Sequence, residues 1–138
     1  MATREEVGAE LATVFEELVD LVNEVKQAAW TASSADRRRT IDEFRTFVVE
    51  QAATVDEAEL RISERPAWVR NPTGHHWRNI TSDAHGDADL VVTALVRDID
   101  ATVEDIRRHS LNVDGEARQL LDEVAEGLAR RCEELRGA

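Results

Sequence analysis

Residues 17–33, ELVDLVNEVKQAAWTAS, constrain the fold more than any other stretch of the chain. Leu18, Leu21, Val22, Val25, Ala28 and Ala29 recur every three or four residues, which puts them on one stripe of an α-helix, with Asp20, Glu24 and Gln27 facing away. The stripe extends back through Val14, Leu11 and Val7, a helix of about four heptads. A rod of that length with one apolar face has to bury it against other rods, which points to a bundle. Trp30 stands at the end of the stripe, and its large ring with a single N–H donor suits a residue that seals a core or anchors an interface.

The same periodicity predicts three more helices. The first helix starts at Thr3, where Thr3 and Glu6 form a capping box, and runs to residue 32. Ser33 and Ser34 make a turn and offer the next N-cap. The second helix covers residues 35–64, burying Ile41, Phe44, Val48, Ala52, Val55, Ala58 and Ile62, and Pro66 stops it. The third covers residues 87–111, with Val91 or Val92, Leu95, Ile99, Val103 and Ile106 inward. Asp114-Gly-Glu opens the fourth, whose stripe is Ala117, Leu121, Val124, Leu128 and Leu135 and which Gly137 closes. Arg37, Arg38 and Arg39 sit in the first turn of the second helix, the wrong charge for a helix N-terminus; an acidic neighbouring chain or plain solvation would account for them.

Residues 66–86, PAWVRNPTGHHWRNITSDAHG, break this pattern with two Trp, three His and both prolines of the chain. A connection of that length in a compact domain is functional or anchored by its own side chains, and Trp68 and Trp77 are the anchors expected here. The expected architecture is therefore an all-α, antiparallel four-helix bundle in one domain spanning residues 1–138, with one long crossover link between the second and third helices.

Composition narrows the function classes. Aromatics are 4% of the chain and Tyr is absent, so aliphatic side chains fill the interior. A formal charge of −12 argues against wrapping a phosphate backbone, which needs clustered cations, so DNA binding is not expected. The single cysteine, Cys132, excludes an intrachain disulfide and fits a reducing cytoplasm as a bystander thiol. No signal-peptide pattern and no apolar run of about twenty residues is present, so the expectation is a cytoplasmic protein without a membrane span.

Three strings resemble the Dps family, ferritin-like proteins of starved cells that assemble as hollow shells: LVDLVNEVKQAAW before the first loop, DEAELR at residues 56–61, and VEDIRRHSLNVDGEARQLLDEVAEGLARRCEELRG at residues 103–137. The resemblance touches nearly the whole chain. It implies a ferritin-like fold, a homo-oligomeric and dodecameric shell, a role in iron or metal homeostasis under stress, iron as the cofactor, and co-assembly with a related active subunit. The family's iron-oxidising ligands fall, without gaps, on Ala29, Ile41, Arg45, Asp56 and Leu60, of which only Asp56 matches. Ferrous iron needs several O and N donors that converge, so the resemblance implies a degenerate or absent ferroxidase site, unless a slipped register brings in Asp42, Glu43 or Glu59.

Other constellations are weak. His75, His76 and His85, with Asp83 and Asp87, could supply metal ligands from the link, although their spacing matches no tight signature. Asp105 and His109 lie one turn apart, a geometry that orients an imidazole or simply makes a surface pair, the latter being expected here. The acids Glu16, Glu17, Asp20 and Glu24 would attract cations if a cavity enclosed them. No catalytic set is complete. The alternative function is a small acidic helical module that docks a protein partner and performs no metal chemistry.

Overall fold

The computed structural model describes residues 2–63 and 87–137. Four helices account for nearly all of them: α1 (Arg4–Trp30), α2 (Ala35–Ser63), α3 (Ala88–Ser110) and α4 (Gly115–Arg136). No strand occurs among the described residues. No helix among them is long and apolar enough to cross a membrane.

The helix ends follow local chemistry. Thr3 caps α1, its Oγ1 accepting from the Glu6 N–H at 3.1 Å, and Glu5 and Glu6 put negative charge in the first turn. Ser34 Oγ accepts from the Arg37 N–H at 3.1 Å at the start of α2. Asp87 caps α3 by accepting from the N–H groups of Asp89 and Leu90, at 2.9 and 3.1 Å. Gly115 opens α4 with φ +56, a left-handed conformation that a Cβ would strain. Gly137 ends α4 without such a conformation, its N–H donating to the Glu133 carbonyl at 3.1 Å.

Two helical hairpins, α1–α2 and α3–α4, pack so that α1 lies against α3 and α2 against α4, leaving α1–α4 and α2–α3 on the diagonals. Ion pairs fix the directions. Arg37 at the start of α2 meets Asp89 at the start of α3 at 2.9 Å, while Arg61 near the end of α2 meets Glu116 at the start of α4. Thus α2 and α3 run the same way and α2 and α4 run oppositely. The end of α2 and the start of α3 lie at opposite ends of the bundle.

The aliphatic stripes pack where their spacing puts them. Leu11, Leu18, Leu21, Ile41, Leu95, Ile99, Ile106, Leu121 and Leu128 are all fully buried. At roughly 1.5–3 kcal/mol for each such side chain, this common core is the main driving force for the fold. Val91 rather than Val92 takes the inward position, and Ile62 packs at the core's margin. Cys132 is part of the core and fully buried; burial and the nearby Asp100 carboxylate push its thiol up to about 11, so it is inert at neutral pH.

Several expectations need correction. Trp30 does not seal the core of this chain: it is 72% exposed, with the Lys26 ammonium 5.3 Å from its ring. Glu24 and Gln27 do not face away but are buried, and Asp20 is half-buried. The α1 helix touches both α2 and α3, so its buried arc is wider than one stripe. The three arginines of α2 have partners inside the chain: Arg37 pairs with Asp89, Arg38 Nε donates to the Ala29 carbonyl at the end of α1 at 3.2 Å, and Arg39 pairs with Asp36. Arg37 and Arg38 tie the start of α2 to α3 and α1, whereas Arg39 stays exposed and pairs within the first turn of its own helix.

Candidate functional site: the acidic seam between α1 and α3

The polar residues of α1 that resist the stripe pattern are themselves periodic. Glu17, Asp20, Glu24 and Gln27 are spaced by three or four residues and form a second row beside the apolar one. On α3 the matching row is Asp98, Thr102, Asp105 and His109. Glu17, Asp20, Glu24, Asp98, Thr102 and Asp105 line a groove of about 230 Å³, together with the buried Leu21 and the exposed Ala101. Of the acids Glu16, Glu17, Asp20 and Glu24, the last three are thus partly enclosed, and Asp98 joins them from a helix far away in sequence.

Neighbouring cations answer part of this charge. Asp98, 5% exposed, accepts from Arg97 Nε at 3.3 Å, and Asp105 pairs with Arg108. Thr102 turns its hydroxyl back onto its own helix, donating to the Asp98 carbonyl at 2.9 Å. Glu17 has one carboxylate oxygen, Oε2, buried without a hydrogen bond. Burial raises the pKa of Glu17 above the ordinary 4.5, against the lowering pull of His109 and Arg108.

His109 ends the row. Its Nδ1 meets Glu10 Oε2 and its Nε2 meets Glu17 Oε1 at 3.3 Å, so one imidazole joins two carboxylates of α1. Asn112 donates to the other oxygen of Glu10 at 3.3 Å. The expected surface pair of Asp105 with His109 is not what the fold makes, because the Arg108 guanidinium takes Asp105. Sequence spacing misses Glu10 and Glu17 as partners of His109, since they lie 99 and 92 residues away.

The seam does not read as a metal site. From Glu17 to Glu24 the helix rises about 10 Å, so the carboxylates are strung out along the groove rather than converging on one point. Among the described residues no group of three or more His, Cys, Asp or Glu side chains is arranged to hold a metal ion.

The positions matched to the family's ferroxidase ligands behave as their side chains dictate. Ala29 and Ile41 are 5% and 1% exposed and belong to the hydrophobic core, Arg45 is exposed, and Asp56 and Leu60 are half-buried. A methyl, two branched alkyl groups and a guanidinium donate nothing to iron, so this set does not fit the metal. Asp56 lies fifteen positions beyond Ile41 on α2, a rise of roughly 22 Å, so the two ends of the set are far apart within one chain. His75, His76, His85, Trp68 and Trp77 lie outside the described residues. Asp87, named with those histidines, is engaged as the cap of α3. No protein-family model matches the chain, and no curated protein matches it.

Proposed function

We propose that the chain is a Dps-like, ferritin-like four-helix protein that builds a shell from copies of itself and has no working ferroxidase centre. Its role is then structural within a metal-homeostasis assembly, and oxidation of iron falls to a related subunit that keeps the ligands. The observation that carries this reading is the direction of the helices: α2 and α3 run the same way on diagonal corners. A crossover link between them would span about the length of α2, 29 residues or about 44 Å. That is within reach of residues 64–86 at roughly 3.3 Å per residue. Such a crossover between two hairpins distinguishes ferritin-like bundles from simple up-and-down ones.

Two further features support the reading. The exposed indole of Trp30 stands at the bundle end where α3 begins, and Leu90 there is 53% exposed, so the end presents apolar surface that a second copy would cover. The aliphatic fillers Ala29 and Ile41 support the loss of iron oxidation. Light scattering and aerobic Fe(II) oxidation test both parts. The expected result is an assembly several times the 15.5 kDa chain mass that oxidises Fe(II) no faster than buffer. A monomer without metal uptake would favour the acidic interaction module, and rapid oxidation would restore a ferroxidase with relocated ligands.

A further inference from the structure

We propose that His109, Glu10 and Glu17 form a pH-sensitive latch that pins the C-terminal turn of α3 to α1 while the three groups share two protons and loosens it when one of those protons is lost. The geometry supplies the reason. Each ring nitrogen of His109 faces a carboxylate oxygen, so two hydrogen bonds require two protons among the three groups. Those protons sit either on an imidazolium between two carboxylates or on a neutral imidazole beside a protonated Glu17; both states carry the same net charge, −1. Loss of one proton leaves a ring lone pair facing the Glu17 carboxylate, and an attractive contact becomes a repulsive one.

The surroundings set the direction. On α1, Asp20 adds negative charge beside Glu17, and burial already favours the protonated form of that carboxyl. On α3, Arg108 lowers the pKa of Glu17 and is itself paired with Asp105. From α4, Arg118 donates to the carbonyls of Ser110 and Leu111, and Asp122 accepts from the Ser110 hydroxyl, so the turn stays attached to α4 at any neutral pH. Loss of the proton between Nε2 and Glu17 therefore loosens the turn from α1 on the groove side, while Nδ1 and Asn112 still hold Glu10. Histidine is the side chain whose charge changes in this range.

Urea unfolding of wild type, His109→Gln and Glu17→Gln from about pH 5.5 to about pH 8.5 tests the latch. A glutamine at position 109 cannot gain or lose a proton, so the midpoint gap between wild type and His109→Gln is expected to narrow by roughly half or more as pH rises. In a Glu17→Gln background the side-chain amide can donate to or accept from the ring, and the gap is expected to be flat with pH. A gap constant with pH in wild type overturns the proposal. Should His109→Gln fail to fold, ¹⁵N shifts of the wild-type imidazole decide: Nε2 is expected to change across this range, and flat shifts at both nitrogens contradict the latch.

Discussion

Where α2 meets α4 a glycine takes an aromatic ring under an arginine, and where α1 meets α3 the contact is lined with carboxylates. In the first seam a Cβ built on Gly127 would lie 2.8 Å from Phe47 Cζ, and Arg131 stacks over the same ring 4.7 Å from its centroid. The Phe47 ring fits against the backbone of α4 there because Gly127 has no side chain. In the second seam Glu17, Asp20, Glu24 and Asp98 border a groove, and protons and arginines manage the charge. Two hairpins with a common core are thus joined by one seam that is indifferent to neutral pH and one that responds to it.

The core common to both seams should give the largest effects. Leu18→Ala in α1 and Leu121→Ala in α4 each remove a fully buried side chain and are expected to cost about 2–5 kcal/mol in urea unfolding. Similar losses at the two positions would confine the difference between the seams to their polar contacts; a loss under about 1 kcal/mol at either would break the picture of a single packed core.

Gly127→Val probes the close seam. The added atoms force Phe47 out of its place, with an expected cost of about 1–3 kcal/mol that is the same at pH 6 and pH 8. A neutral effect would mean that the Phe47 ring moves aside freely.

Glu17→Gln probes the other seam and should behave oppositely. The folded pKa of Glu17 lies above the ordinary 4.5, chiefly because of burial. Its favourable contribution is therefore complete below 4.5 and is lost as pH rises through the raised value. Replacing it is expected to stabilise the chain by about 1 kcal/mol near pH 8 and to do little near pH 5. Destabilisation that grows with pH would reverse the assignment.

Arg61→Ala should matter least. Arg61 and Glu116 are both exposed, and their bidentate pair, 3.0 Å on one arm, is screened by salt. Glu116 is held below the usual carboxylate value by Arg61, so what stability the pair gives is present above 4.5 and fades as pH falls through that lowered value. The expected change in the urea midpoint is small and vanishes in about 1 M salt.

The sequence makes the apolar half of this architecture legible and the polar half much less so. The stripes through Leu18, Phe44, Leu95 and Leu121 follow from a 3.6-residue period, which needs no knowledge of the partner helix. Asp20, Glu24 and Gln27 read as solvent-facing because polarity alone does not reveal that α1 has neighbours on two sides. The partners of Arg37 and His109 arrive from 52 to 99 residues away, and no local spacing encodes them. Trp30 was legible as special, but the free chain leaves its ring in solvent, and burial in an assembly depends on contacts between chains rather than on periodicity.

Assembly through that exposed end is the claim on which the functional reading stands. Native mass spectrometry of wild type beside Trp30→Glu measures it most directly. Wild type is expected as an oligomer of the 15.5 kDa chain, and the variant as a folded species of lower order. Wild type found as a 15.5 kDa monomer at every concentration would contradict it.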